Sequence, residues 1–191
     1  MNRYVIASIR MALITLVVLG LVYPLAMTGI AQVLMPAQAN GSLVTSGGTV
    51  VGSSLIGQLF TEAKYFHGRP SAAGADGYDA TASGASNLAP TSKALIDRVK
   101  AAVASETAEN PGLVAGSVPV DMVTASGSGL DPDITLANAY AQVARVAAAR
   151  GLTTAVVRGL VDSTAQGRQL GVLGEPHVNV LRLNLALDAA K

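Results

Sequence analysis

The longest apolar run in the chain, from Met11 to Met35, reads MALITLVVLGLVYPLAMTGIAQVLM and holds no charged residue over 25 positions. About 20 residues suffice to cross a bilayer as a helix, so the run predicts one transmembrane helix over 11–35 behind a short N-terminus over 1–10. A cleaved secretory signal is the competing reading, and Ala37-Gln38-Ala39 offers the small-x-small pattern that such cleavage uses. Its apolar stretch would far exceed the roughly 7–15 residues of a signal, which favours a retained anchor. After the anchor the pattern breaks. Residues 36–54 are rich in Gly, Ser, Thr and Ala without a charge, and read as a linker leading into short strands around 43–44 and 50–58.

The remaining chain, 55–191, alternates short periodic segments with breakers. Leu95, Val99 and Val103 recur every four residues beside Ile96 and Ala102, which predicts a helix from Pro90 to about Thr107, stopped by Asn110-Pro111-Gly112. Val118 to Val123 reads as a short strand feeding a small-residue turn at 124–129. A second helix is predicted to start at Asp131, whose carboxylate can cap free amides while Pro132 takes the first helical position, and to end at Gly151. Thr153 or Thr154 caps a third helix with Val156, Val157, Leu160 and Val161 inward, closed by Gly167. From 178 to 187 the leucines and valines alternate in two registers, which reads as a strand with a bulge. The expected fold class is α+β: one N-terminal transmembrane helix followed by a single mixed α/β soluble domain.

Composition narrows the function. Only 13% of residues are charged and 4% aromatic, and the 13 basic and 12 acidic residues are scattered singly for a net charge of +1. No basic stripe of the kind nucleic acid requires is present, so nucleic acid is excluded as a partner. With 0 cysteines there is no disulfide, thiolate metal site or thiol nucleophile. Charge placement sets direction: Arg3 and Arg10 precede the apolar run, and no Lys or Arg follows it until Lys64. The positive-inside rule then puts the N-terminus in the cytoplasm and the soluble domain outside it, in the periplasm of a bacterial cell. Pro24 removes a backbone donor in mid-span, which a neighbouring membrane helix or a harmless local kink can accommodate.

Few motifs carry chemistry. No Gly-x-Ser-x-Gly elbow occurs, and His67 and His177 lie far apart with no clustered partner, so neither a catalytic residue nor a metal ligand is assigned. Ser126, Gly127, Ser128 and Gly129 lie just before the predicted second helix, where amides and the helix dipole favour an anion. A tight turn closed by a capping Asp explains the same residues. Asn138, Gln142 and Arg145 recur at spacings of four and three along that helix, opposite Leu136, Tyr140, Val143 and Ala147, so this polar face is either solvated or faces whatever the turn binds. Between Phe60 and Tyr78 lie four of the five aromatics of the soluble part; Tyr65, Phe66 and Arg69 form either a partner surface or, for Phe60 and Phe66, part of the core. A free-standing anchored binding module, or a tethered hydrolase using Ser126 or Ser128, remain alternatives on these residues alone.

Several segments in order resemble one family, the C subunit of Kdp-type potassium-transporting ATPases. They are Leu55-Ile56-Gly57-Gln58, Tyr65-Phe66-His67-Gly68-Arg69-Pro70-Ser71-Ala72, Ser83-Gly84-Ala85-Ser86-Asn87-Leu88, Val118-Pro119-Val120-Asp121, Thr124 to Pro132, Gln142 to Ala147, Gly174-Glu175-Pro176, and Val178 to Asp188. Where the resemblance calls for a histidine or polar amide after Asp131-Pro132, this chain has Asp133. The resemblance implies a non-catalytic accessory subunit of an ATP-driven potassium importer in the bacterial inner membrane. Its implied partners are a P-type ATPase subunit carrying the phosphorylated aspartate and a channel-like subunit selecting potassium. It also implies a catalytic chaperone that raises the ATP affinity of the ATPase subunit, with ATP shared between the two and the glycine turn and Gln142 as the place for that role. Charge asymmetry opposes direct contact, because ATP is cytoplasmic and Arg3 and Arg10 put the domain outside.

Overall fold

The computed structural model describes residues 2–190 and divides into two units at the boundary between Val51 and Gly52, inside the second strand. The first unit is the anchor. A continuous helix, Asn2–Leu34, is long and apolar enough to cross a membrane, and none of its most apolar window is buried within the chain. It begins earlier than the apolar run because Asn2 to Arg10 continue the helical hydrogen bonding as α1 (Asn2–Val17). At about 1.5 Å per residue the whole helix is roughly 50 Å long, so it exceeds the ~30 Å hydrocarbon layer and carries Arg3 and Arg10 beyond its apolar centre. The proline explains the one irregularity. Pro24 cannot donate and its ring crowds the carbonyl four residues earlier, and the helix widens there into a π-turn, Val18–Val22, with Tyr23 N–H donating to Val18 O. α2 (Tyr23–Leu34) then runs on, and the short α3 (Pro36–Ala39) leads to a hairpin of β1 (Leu43–Ser46) and β2 (Thr49–Ser53).

The second unit combines helices with a small two-stranded sheet. After α4 (Lys93–Glu109), a 3₁₀ turn (Ala115–Ser117) and the single-turn α5 (Val120–Val123) come β3 (Asp133–Thr135), α6 (Leu136–Arg150), α7 (Thr154–Thr164), β4 (His177–Asn179) and α8 (Val180–Ala189). β3 and β4 pair antiparallel with Ile134 opposite Val178. Val143, Val146 and Ala147 of α6, Val157 and Val161 of α7, and Val180, Leu183 and Leu187 of α8 enclose a core with Ile134, Val178 and Phe66. Gly151 ends α6 as expected, in the left-handed conformation (φ 65°) that a side chain resists, and Thr153 caps α7 by accepting from Val156 N. The α+β class expected from the sequence holds.

Three local expectations are corrected. Val118 to Val123 is not a strand: Asp121, Met122 and Val123 are consecutively buried, a pattern that one helical turn satisfies and strand alternation does not. The helix expected to start at Asp131 starts at Leu136 with Thr135 as its cap, because residues 133–135 are taken into the ladder with β4. The expected bulged strand over 178–187 is β4 followed by α8. Its two registers are a helical repeat in which Val180, Leu183 and Leu187 fall on one face, and Asn179 caps it by accepting from Arg182 N.

Residues 54–92 contain no helix or strand, an unusual length for an irregular segment in a small domain. Its centre is nonetheless in the core: Phe66 and Ala73 are fully buried. Because Leu183 is fully buried in the core whereas Val120 is largely exposed, Leu183→Ala is expected to lower unfolding stability by about 3 kcal/mol and Val120→Ala by less than about 0.5 kcal/mol. Urea titration of the detergent-solubilised chain followed by circular dichroism measures both.

Candidate functional site

Buried backbone groups need hydrogen-bond partners, and the strandless segment around Phe66 takes them from side chains. Asn184 on α8 accepts from Phe66 N (2.8 Å) and donates to Phe66 O (3.0 Å). Gln142 on α6 repeats this at the next residue, accepting from His67 N (2.8 Å) and donating to His67 O (3.1 Å). Each carboxamide therefore acts as one rung of a β-ladder. Arg145 adds Ala63 O (2.8 Å) and Tyr65 O (3.0 Å), and Arg150 Nε adds Lys64 O (2.7 Å). Further bonds tie the clamp together: Gln142 donates to Asn138 Oδ1, Arg145 Nη2 donates to Gln142 Oε1, and Arg145 Nε donates to Asn110 Oδ1 beyond the end of α4.

The sequence-predicted site residues are brought close to one another only in part, and most are engaged. Asn138, Gln142 and Arg145 do share one face of α6, but that face is buried. Ser126 is buried and its N–H reaches Pro70 O. Ser128 Oγ accepts from Leu130 N, and its carbonyl takes Gly84 N and Ser83 Oγ. Gly129, at φ 69°, accepts Ser71 Oγ on its carbonyl (2.6 Å), and a Cβ there would fall 2.8 Å from Ala73 N. Gly127 has open space around it. β3 separates this turn from α6, so its amides do not line up with that helix's N-terminus. Phe66, offered as part of a partner surface, is fully buried. Tyr65 is half-buried, donates to Asp188 Oδ2 and carries Arg150 over its ring at 5.0 Å, and Arg69 pairs with Asp131 at 3.0 Å.

Two residues that the sequence reading did not single out do much of the fixing. Asp121, on α5, accepts from Thr135 N (2.9 Å), Thr135 Oγ1 (3.1 Å) and Asn138 Nδ2 (3.1 Å), closing the N-terminus of α6 from outside the helix. Asn184 is the other; its signal was a lone amide inside the leucine run 181–187. Nearby, Tyr78 donates to Arg69 O (2.6 Å), and burial with help from Asp131, against Arg69, pushes its phenol up to about 12. A cleft of about 220 Å³ opens among Phe60, His67, Arg69, Tyr78, Glu106 and Met122. Burial and the Arg145 charge hold the His67 imidazole below its ordinary value, with Glu62 O and Glu109 opposing. Burial and the neighbouring Glu109 raise Glu106, with Arg145 and Asn110 opposing. Neither histidine ring bonds to Ser126 or Ser128: His67 Nε2 faces Glu62 O and His177 Nδ1 faces Glu175 O. Among the described residues no group of three His, Cys, Asp or Glu side chains could hold a metal.

A helix long and apolar enough to cross a membrane, followed in the chain by an α+β domain with a buried polar network, is the architecture of a single-span membrane protein. The family model described as K+-transporting ATPase, c chain (KdpC) matches residues 5–189. The potassium-transporting ATPase KdpC subunit of Gemmatimonas aurantiaca is 62% identical over 170 residues, covering 89% of this chain and 84% of its own. That of Nitratidesulfovibrio vulgaris is 61% identical, covering 87% and 84%. The KdpC subunit of Koribacter versatilis is 52% identical over 191 residues, covering 100% of this chain and 97% of its own. The chain belongs to the KdpC family, the c chains of K+-transporting ATPases.

The clamp makes two measurable claims. Asn184→Asp keeps the acceptor for Phe66 N but sets a buried carboxylate against Phe66 O, and is expected to cost about 2–4 kcal/mol at neutral pH. The loss should shrink as pH falls, because the protonated carboxyl can donate again; chemical unfolding at pH 7 and pH 5 reads the difference. His67 titrates below 6.5 when folded, so the unfolded chain takes up its proton first and the folded state loses stability as pH drops through 6.5. His67→Gln should flatten that part of the stability-versus-pH curve relative to the unsubstituted chain, with the Glu106 contribution common to both.

Proposed function

We propose that this chain is an accessory subunit that stabilises an ATP-driven potassium import complex, with its folded domain on the outer face of the inner membrane. Its partners in this reading are the P-type ATPase subunit, which hydrolyses ATP, and the channel-like subunit, which selects potassium. The observation that carries the orientation is charge asymmetry: Arg3 and Arg10 lie on the N-terminal side of the uncharged run Met11 to Met35, and no Lys or Arg follows that run until Lys64. The catalytic-chaperone role, raising the ATP affinity of the ATPase subunit, is then exerted from outside and travels through the membrane-embedded partners. What supports an indirect route is the use of Gln142 and Arg145, whose donors and acceptors meet the backbone of residues 63–67, Asn138, Asn110 and each other. Ser126, Gly127, Ser128 and Gly129 act in this reading as the turn that seats residues 71–84, and bear on ATP affinity only through the domain's shape.

Three measurements test this. Alkaline phosphatase fused after Lys191 is expected to be active, and a green fluorescent protein fused there dark; cytoplasmic fluorescence with inactive phosphatase overturns the orientation. Mild-detergent purification of the tagged full-length chain is expected to bring a large membrane ATPase with it, and its absence overturns the subunit reading. In the assembled complex, Gln142→Glu is expected to raise the ATP concentration needed for half-maximal hydrolysis while the ATPase subunit still co-purifies.

A further inference from the structure

Between α7 and β4 the chain makes a small hairpin that no contact of the core requires. Gln166 bridges to His177, Gln169 and Leu173 exchange N–H···O bonds of 2.9 Å, and Val172 N donates to Gln169 O around a turn centred on Leu170 and Gly171. Both turn residues sit at positive φ, 53° and 77°. Consecutive left-handed residues favour Asn and Gly, so a leucine at the first position is disfavoured by the backbone. Nor does burial compensate: Leu170 is 90% exposed, Val172 72% and Leu173 56%. Three aliphatic side chains thus stand on the tip in water, above an exposed ion pair at its base in which Arg168 Nη2 donates to both carboxylate oxygens of Glu175.

Beside the hairpin base lies a polar cleft of about 240 Å³, walled by Gln166, Gln169, His177, Asn179, Asp133 and Arg182, with Ser54 and Leu55 at its rim. Asp133 there is already answered: its Oδ1 accepts from Asn179 Nδ2 at 3.0 Å and its Oδ2 lies 3.8 Å from His177 Nε2. Arg182 is exposed, and its guanidinium has no ion-pair partner among the described residues. The side-chain amides of Gln166 and Gln169 add donors on the same wall.

We infer that the 166–175 hairpin and the adjoining Arg182 cleft form one docking surface, which takes an extramembrane loop of another subunit presenting an apolar pocket next to a carboxylate. The inference rests on membership of a multisubunit complex. Charge complementarity selects the occupant: the tip carries aliphatic groups whose flanking charges neutralise each other, while the cleft a few residues away offers an unanswered guanidinium and two amides. A bilayer surface is the poorer match, since interfacial anchors combine aromatic residues with several cations facing the headgroups, and this tip has neither. Burial of the tip in a dry pocket supplies what the exposed leucine and its disfavoured backbone lack in the free chain.

The test uses the full-length chain assembled with its partner subunits in native membranes. A photo-crosslinking amino acid is placed at Leu170, at Val172, and at exposed Val156 on α7 as control. Protein adducts at Leu170 or Val172, at least about tenfold above Val156, are expected. Arg182→Glu should lower those adducts about tenfold, as loss of one charged contact does, with unchanged thermal unfolding of the chain. Leu170→Asn, which suits the turn, should raise thermal stability and yet weaken the Val172 crosslink. Adducts with phospholipid, adducts no stronger than the control, or insensitivity to Arg182→Glu would each overturn the docking surface. Those outcomes count against it only where the ATPase subunit co-purifies; a chain that purifies without that subunit refutes complex membership instead.

Discussion

Two carboxamides hold this domain together. Phe66 must be buried to complete a core otherwise made of valines and leucines, yet the segment that carries it pairs with no strand. Its amides and carbonyls would be left unsatisfied in the interior, at about 1–3 kcal/mol for each such group. Asn184 and Gln142 remove that penalty by pairing with both polar groups of Phe66 and His67, across separations of 118 and 75 residues. Arg145 and Arg150 extend the pairing to residues 63–65. The irregular stretch is consequently as well specified at its centre as a strand, with side chains in the place of a neighbouring backbone.

This constraint explains why α6 has two buried faces. One packs Val143, Val146 and Ala147 into the aliphatic core, and the other turns Asn138, Gln142 and Arg145 inward against the clamped segment. A buried Asn, Gln and Arg in a row is tolerable only if each is saturated. Asp121 accepts from Asn138, Asn138 accepts from Gln142, Gln142 accepts from Arg145, and Asn110 accepts from Arg145. The same chain of bonds ties the end of α4 and the turn of α5 to the scaffold, so elements that bury little apolar surface are held through polar contacts. Removing one member leaves its neighbours unsatisfied in a low-dielectric interior, which makes the network act as a unit.

For function the consequence is a division of labour. The groups that most resemble a reactive or ligand-binding constellation are committed to the domain's own backbone, as suits a non-catalytic subunit of a transporting ATPase. The anchor contributes a proline whose missing donor is absorbed by a local π-turn rather than by a break, so the helix stays continuous through the span.

Much of this was legible in the residues. A 25-residue uncharged run determines a membrane helix, because the bilayer core leaves the backbone no partner but itself. The stops at Asn110-Pro111-Gly112 and Gly151 and the cap at Thr153 follow from local chemistry, and the ordered segments through Gly174-Glu175-Pro176 identify the family. What the sequence could not decide was which polar residues are inside. Gln142 and Arg145 have the spacing of a solvated helix face, and Asn184 lies in a leucine run that two periodicities fit; only the arrival of Phe66, 118 residues from Asn184, and of His67, 75 residues from Gln142, gives each amide a backbone to pair with. In the same way residues 133–135 become a strand and 180–189 a helix because β4 reaches back to β3. Local propensity acts over a few neighbours, whereas satisfaction of buried polar groups is settled by whatever the tertiary fold brings within about 3 Å.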